Sequence, residues 1–197
     1  MLKVAVLVSG GGTNLQAILD AVDSGKITNA KVEKVISNVA GAYALERAKN
    51  HNVTGVTLRR KDFDSKVDWE KALIAEIDDC GAQLIVLAGF MAILSENFTK
   101  HFENKIINVH PSLIPSFCGE GMYGLHVHEA ALAKGVKVSG ATVHFVNEEV
   151  DGGKIIAQKA VEVMADDTPE TLQKRIMQQA EWIILPQAID DIANNRI

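Results

Sequence analysis

The sequence predicts an α/β protein with a doubly wound, mostly parallel sheet, followed by a C-terminal antiparallel strand pair and a long terminal helix. Three observations favour this class. Short β-rich runs alternate with helical patterns over more than half of the chain, as in successive βαβ units. The first run, from Lys3 to Val8, is almost entirely Val, Ala and Leu, which is typical of a strand covered on both faces. Further along, two longer strand-like runs are joined by a glycine-containing turn.

The elements follow from apolar periodicity and from turn chemistry in chain order. After the first strand, strands are predicted at 32–36, 55–58, 84–88, 106–109, 138–146 and 154–163, and helices at 14–22, 42–50, 66–79, 95–102 and 128–133. The pair Thr168-Pro169 is typical of an N-cap followed by the first helical position. The helix that begins there is expected to run toward Ile192, with a bend at Pro186.

Length and composition limit the class of protein. A chain of 197 residues predicts a single domain, 1–197, that needs neither disulfides nor a structural metal. The net charge of −5 argues against duplex nucleic acid as a partner, because phosphate neutralisation needs clustered Lys and Arg. Two cysteines without CxxC spacing, no leader-like start and no apolar run of roughly 18 residues predict a cytoplasmic protein with no membrane segment.

A glycine-rich turn, Ser9-Gly10-Gly11-Gly12-Thr13-Asn14, closes the first strand and opens the first helix. Free backbone N–H groups at a helix start form an anion site. The turn lacks the lysine of a Walker loop, and it lacks the third glycine and the later acidic residue of a dinucleotide fingerprint. The sequence therefore favours the phosphate of another small ligand, with a turn that only permits tight strand–helix packing as the alternative.

A second group, Asn108 and His110, lies at the carboxyl end of a buried strand, where open α/β sheets bind ligands. Residues two apart share one face of a strand. An amide beside an imidazole suits a carbonyl substrate, with the amide meeting an oxyanion and the imidazole moving a proton. Asp151, in a glycine turn, would favour the charged form of His110. The alternatives are a hydrogen-bonded Asn, a capping His and an Asp that only forms its turn.

The other candidates carry weaker signals. His126 and His128 could suggest a metal pair, but no carboxylate or cysteine cluster stands at ligand spacing, and we expect no metal. His144 either borders the site or is only solvated. Ser112 follows His110 by two residues, yet the chain has no Gly-x-Ser-x-Gly elbow on which a serine nucleophile could sit.

Five segments in this order resemble the phosphoribosylglycinamide formyltransferase family, the folate-dependent formyltransferases of purine biosynthesis. The segments are Ser9–Leu15, Leu87–Met91, Asn108–Pro115, Thr142–Phe145 and Asp151–Gly153. The resemblance covers essentially the whole chain and implies the Rossmann-like formyltransferase fold. Related enzymes that act on methionyl-tRNA or hydrolyse formyltetrahydrofolate share the Asn, His and Asp set. They carry an additional domain, for which 197 residues leave no room.

The resemblance also implies the reaction and the site residues. The reaction is transfer of a formyl group from 10-formyltetrahydrofolate, as co-substrate and without a metal, to the amine of 5-phosphoribosylglycinamide. The implied catalytic residues are Asn108, His110 and Asp151. The implied ribonucleotide-binding residues are Gly11, Gly12, Thr13, Asn14 and Glu181. The implied folate-binding residues are Lys66, Met91, Ala92, Ile93, Leu94 and Asn108.

One departure from the family pattern concerns the folate segment, where Ala92 stands in place of a common arginine. The expected partners are these two small molecules, and the expected assembly is a monomer or a homodimer. Two alternatives remain open: hydrolysis of the formyl-folate, and a phospholigand-binding module without chemistry. The binding module predicts that Asn108, His110 and Asp151 lie more than roughly 8 Å apart, beyond reach even through one bridging water.

Overall fold

The computed structural model describes residues 1–197, and strands alternate with helices through the first half of the chain. The elements are β1 (Leu2–Val8), α1 (Thr13–Asp23), β2 (Ala30–Ser37), α2 (Tyr43–Asn50), β3 (Thr54–Thr57), a 3₁₀ turn (Arg60–Asp62), α3 (Lys66–Asp79), β4 (Leu84–Leu87), α4 (Glu96–His101) and β5 (Ile106–His110). The second half contains α5 (Leu125–Lys134), β6 (Val138–Phe145), β7 (Ile155–Glu162), α6 (Pro169–Ile176), a π-helical turn (Met177–Glu181) and α7 (Trp182–Ala193).

All seven strands form one sheet in the order β3-β2-β1-β4-β5-β6-β7. Neighbours from β3 to β5 pair in parallel, whereas β5 with β6 and β6 with β7 pair antiparallel. The chain first builds outward from β1 to β3 and then returns to add β4 on the other side of β1. This reversal is the topological switch point, and its carboxyl edge is where open α/β sheets bind ligands.

The alternation of β1 side chains explains the two layers that cover the sheet. Val4, Val6 and Val8 pack on one face among residues of α1, α2, α5, α6 and α7. Ala5 and Leu7 pack on the other face, in a smaller cluster with α3 and α4. Both sets are fully buried, which is why the first strand reads as a continuous apolar run.

The predicted element bounds hold closely. Every predicted strand lies within two residues of an observed one at each end, and α3 spans the predicted 66–79. Thr168 caps α6 in a capping box, with Pro169 in the first turn as expected. The predicted short helix begins earlier, at Leu125.

The sequence predicts a bend of the last helix at Pro186. The α7 helix runs through this proline, and the irregular turn precedes it at Met177–Glu181. Pro186 is the fifth residue of α7, so its missing N–H lies within the first turns after the wider π turn.

No helix of the chain is both long and apolar enough to cross a membrane.

Candidate active site

Asn108 and His144 face each other at the centre of the site. They are directly opposed in the antiparallel pairing of β5 with β6, and Nδ2 of Asn108 lies 3.2 Å from Nε2 of His144. Nδ1 of His144 lies 2.8 Å from the carbonyl oxygen of Phe145, which can only accept, so this nitrogen carries the proton. Nε2 of His144 therefore accepts from the Asn108 amide. The strand pairing fixes which way that amide points.

Asp151 reaches the same place from the loop between β6 and β7. Its Oδ2 lies 3.5 Å from Nδ1 of His110, and its Oδ1 lies 3.6 Å from Nε2 of His144. The backbone N–H of Gly119 donates to Oδ2 at 2.9 Å. The loop depends on Gly153, where a Cβ would stand 1.7 Å from the carbonyl oxygen of Phe145. The structure thus brings Asn108, His110 and Asp151 together and adds His144.

Burial decides the protonation of His110 in the free protein. The residue is 4% exposed, and its Nε2–H donates to the Phe117 carbonyl at 2.8 Å. Desolvation lowers the pKa of His110, although the Asp151 charge and the Phe117 carbonyl both act to raise it. In the free protein, burial therefore outweighs the effect of the Asp151 carboxylate on the pKa of His110. Nδ1 remains beside Asp151 as the position that can take up a proton.

Asp151 itself stays ionised. Burial of its carboxyl group acts to raise the pKa of Asp151, but the nearby His144 ring, the hydrogen bond from the Gly119 N–H and the nearby His110 ring together lower that pKa below the usual value. The site therefore holds a fixed negative charge beside an imidazole that is neutral until an anion or a proton arrives.

The two histidines of α5 face in different directions. His128 is fully buried, neither ring nitrogen has a hydrogen-bond partner, and burial next to His110 lowers its pKa to about 4. His126 is exposed and lies 3.2 Å from Glu129.

No group of three His, Cys, Asp or Glu side chains in the chain could hold a metal ion. Ser112 donates to the backbone carbonyl of Ser116 and makes no hydrogen bond with His110.

The glycine-rich turn has both properties that the sequence offered as alternatives, an anion site and tight strand–helix packing. Gly12 adopts the left-handed conformation (φ 70°), and a Cβ there would lie 2.6 Å from Cβ of Ala44 on α2, so the residue permits close packing. None of the backbone N–H groups of Gly10, Gly11 and Gly12 donates to another protein group. The turn therefore packs tightly and also presents donors for an anion.

Asn14 and Glu181 form a buried pair next to this turn. The Asn14 amide donates to Oε2 of Glu181 at 2.7 Å, while Oδ1 of Asn14 has no partner. Burial raises the pKa of Glu181 to about 7, against the opposing effect of the Asn14 hydrogen bond. Glu181 closes the π-helical turn, a local irregularity that occurs frequently at functional sites.

The expected folate segment, Met91 to Leu94, lies between β4 and α4, and β4 pairs with β5 beside Asn108. The Met91 N–H donates to Oγ of Ser9 at 2.8 Å, which ties this segment to the glycine-rich turn. Met91 and Ile93 are exposed, whereas Ala92 and Leu94 pack against the smaller core cluster.

Lys66, the first residue of α3, is linked through Glu70 to Ser95, which directly follows this segment. Its Nζ is 3.7 Å from Glu70, whose carboxylate accepts the Ser95 N–H at 2.8 Å. The side chain is 45% exposed. The ammonium group is therefore exposed enough to meet an anion in addition to Glu70.

A cavity of about 640 Å³ lies between α1, α2 and α7. It reaches the glycine-rich turn through Thr13 and Arg47, but none of Asn108, His110 and Asp151 lines it. The catalytic candidates instead stand at the sheet edge, where a ligand would lie across the ends of β1, β4 and β5.

Comparison with known proteins agrees with this geometry. The profile of the family described as Formyl transferase matches residues 2–189. The chain belongs to the formyl transferase family. Among the relatives of this formyl transferase, a phosphoribosylglycinamide formyltransferase of Haemophilus influenzae is 43% identical and that of Escherichia coli is 41% identical; the alignments cover 100% of this chain and 90% and 89% of those proteins.

A solved structure is equally similar to this formyl transferase. The crystal structure of glycinamide ribonucleotide transformylase 1 from Symbiobacterium toebii superposes with a TM-score of 0.93 at 42% identity, covering 100% of this chain and 89% of that one. The seven-stranded sheet with its antiparallel β6 and β7 is thus the architecture of the family.

The functional candidate that sequence reasoning left undecided is His144. Its alternation with Val143 and Phe145 indicated only a polar-facing position on a strand. Its partner depends on which residue of β5 lies opposite, and the pairing of Asn108 with His144 spans 36 positions of the chain. The sequence feature that could have identified His144 is a second histidine on a strand expected to reach the same edge of the sheet.

Proposed function

We propose that this chain transfers the formyl group of 10-formyltetrahydrofolate to the amine of 5-phosphoribosylglycinamide, giving N-formylglycinamide ribonucleotide and tetrahydrofolate in purine biosynthesis. The observation that carries the proposal is the cluster of Asn108, His110, His144 and Asp151, with neighbouring polar atoms 3.2–3.6 Å apart. A binding module without chemistry would not need an amide, an imidazole and a carboxylate held together at the carboxyl edge of the sheet.

Asn108 supplies the electrostatic part of the mechanism. The ribonucleotide amine attacks the formyl carbon, and negative charge develops on the formyl oxygen. One N–H of the Asn108 amide is held by His144, so the other has a fixed direction in which to donate to that oxygen. Preorganised donors of this kind contribute on the order of 10²–10³ in rate.

His110 and Asp151 carry the proton. A developing anion beside His110 raises the pKa of the imidazole and offsets the effect of burial. The ring then takes up a proton that the attacking amine releases, at Nδ1, which lies 3.5 Å from Asp151. Passing that proton to the leaving folate nitrogen completes the transfer, and general acid–base assistance of this kind adds roughly 10²–10⁴.

Binding of the two substrates is assigned to the surrounding segments. Gly11, Gly12 and Thr13 would meet the ribonucleotide phosphate, and Asn14 with Glu181 would meet its ribose. The backbone from Met91 to Leu94 would meet the pterin ring of the folate, next to Asn108, and Lys66 would attract the anionic folate tail.

A cytoplasmic location fits the two free cysteines, Cys80 and Cys118. We further propose that the chain acts as a monomer or homodimer on small molecules alone.

One assay separates the candidate functions. The protein is incubated with 10-formyltetrahydrofolate in the presence and in the absence of 5-phosphoribosylglycinamide, and tetrahydrofolate is measured. Product that depends on the ribonucleotide supports transfer. Product that forms equally without it supports hydrolysis, and no product under either condition supports a binding module.

A further inference from the structure

We infer that Arg47 on α2 is a positioning residue that aims the backbone donors of the glycine-rich turn at the ribonucleotide phosphate. The inference rests on the proposed function and extends it to a helix that contributes no residue to the catalytic cluster. Its basis is the orientation of two successive peptide units in the turn.

Each of these peptide units is anchored to α2 through its carbonyl oxygen. The N–H of Ala44 donates to the Gly10 oxygen at 3.1 Å, and Nε of Arg47 donates to the Gly11 oxygen at 2.7 Å. The only cis peptide bond of the chain is Ile114-Pro115, so both units are trans. In a trans peptide the C=O and the following N–H point in opposite directions.

The consequence is that the N–H groups of Gly11 and Gly12 point away from α2. Neither group donates to any other protein atom. The third carbonyl of the turn, that of Gly12, accepts from the Gln16 N–H inside α1, so the Thr13 N–H likewise points out of the helix end. The turn thus presents three consecutive donors, two directed away from α2 and one directed out of the start of α1. A left-handed residue next to a helical one is the backbone form of an anion-binding nest.

The guanidinium of Arg47 is itself held and is left with its charge uncompensated. Nη1 donates to Oε1 of Gln16 at 2.8 Å, and the group lies over the Tyr43 ring, 4.9 Å from its centroid. The arginine ion pairs of the chain are made by Arg59, Arg175 and Arg196. Arg47 therefore adds a positive charge behind the turn without occupying the anion position.

The test compares two variants with a matched control. Arg47→Met removes both donated hydrogen bonds but keeps a long side chain over Tyr43, and Arg47→Lys restores the charge and one donor. Arg60→Ala is the control, because Arg60 also donates to a backbone carbonyl, that of Phe63, at a distance from the turn. The readouts are kcat, KM for each substrate, the melting temperature, and the Kd for ribose 5-phosphate by calorimetry.

For Arg47→Met we expect the ribonucleotide KM and the ribose 5-phosphate Kd to rise about tenfold or more, with kcat within about threefold and the folate KM unchanged. Arg47→Lys should recover part of the loss, and Arg60→Ala should match the unaltered chain. If Arg47→Met does not fold, Arg47→Lys decides, with weaker ribose 5-phosphate binding supporting the inference and unchanged binding overturning it.

An unchanged ribose 5-phosphate Kd in Arg47→Met overturns the inference, as does a loss confined to kcat or an unaltered chain that does not bind ribose 5-phosphate. Failure of the proposed function is distinguishable: the unaltered chain would then bind ribose 5-phosphate in an Arg47-dependent way but would transfer no formyl group.

Discussion

The amide nitrogen of Asn108 lies 3.2 Å from Nε2 of His144, across two antiparallel strands. Because Nδ1 of His144 donates to the Phe145 carbonyl, the ring presents a lone pair to Asn108 in one tautomer. In the proposed mechanism the histidine would act on the reaction through the amide, whose second N–H it leaves free to donate.

We expect His144→Ala to lower kcat about tenfold to a hundredfold, because a freed amide loses the geometry that an oxyanion donor needs. KM for both substrates should change little. Steady-state kinetics with each substrate varied in turn measure this. His144→Asn, which retains a polar group, should be less impaired, and equal kcat values for His144→Ala and the unaltered chain would show that Asn108 needs no support.

His110→Ala should lower kcat by on the order of 10²–10³, because the proton acceptor beside Asp151 is lost. Binding of the ribonucleotide should stay within about threefold, since the glycine-rich turn lies on a different strand end. The matched control is His126→Ala, a histidine whose side chain is exposed beside Glu129. Turnover of His110→Ala within threefold of the unaltered chain would refute the catalytic assignment.

The pH profile of Asp151→Asn tests the electrostatic link to His110. Burial lowers the pKa of His110 and the Asp151 charge raises it, so removing that charge should lower the pKa further. Protonation of His110 in the free protein at acidic pH blocks the proton acceptor, and this produces the acidic limb of the plot of log kcat/KM against pH. In Asp151→Asn we expect this limb to move to lower pH, and we also expect a lower plateau value of log kcat/KM. A shift toward higher pH would contradict the arrangement.

Glu181 predicts a pH dependence of stability with a defined sign. Burial raises its pKa to about 7, so between about 4.5 and 7 the folded state holds a proton that the unfolded state releases. Stability from this group is therefore fully present below about 4.5 and is lost as the pH rises through 7.

In denaturant unfolding, Glu181→Gln should have a higher free energy of unfolding than the unaltered chain. The gain should grow from pH 5 to pH 8 by up to about 3 kcal/mol, the free energy of that pKa difference. Glu46→Gln, an exposed carboxylate on α2, corrects for the loss of one negative charge. A difference that stays constant with pH would mean that Glu181 is not desolvated.

Lys66→Ala should raise KM for 10-formyltetrahydrofolate by up to about fivefold, as expected for one exposed charge pair. KM for the ribonucleotide should not change. Lys71→Ala is the control on the same helix, since Lys71 is exposed and lies 3.4 Å from Asp68. Equal effects of the two lysine variants would place the folate tail elsewhere.

The sheet could be predicted from the sequence because local signals agree with one another. The apolar run of β1, the helical period of α3 and the Thr168-Pro169 start each report a conformation set within a few residues. The site was partly predictable for the same reason: Asn108 and His110 stand two apart at the end of one strand.

Two features depend on contacts that no local pattern contains. The protonation of His110 depends on how completely the fold buries it, and burial is a property of the packed layers. His128 likewise occupies an interior position without partners, although its sequence neighbourhood only argued against a metal.

The cluster of Asn108, His110, His144 and Asp151 is divided between the parallel and the antiparallel part of the sheet, so its members are synthesised in two stages. The first 110 residues contain all five parallel strands and only two members of the cluster. His144 and Asp151 are added when β6 and the β6–β7 loop leave the ribosome, and Glu181 follows last. A nascent chain can thus build most of its core early. Enzymatic turnover during translation would therefore report docking of the C-terminal hairpin and helices, and it could serve as a real-time signal for the last step of folding.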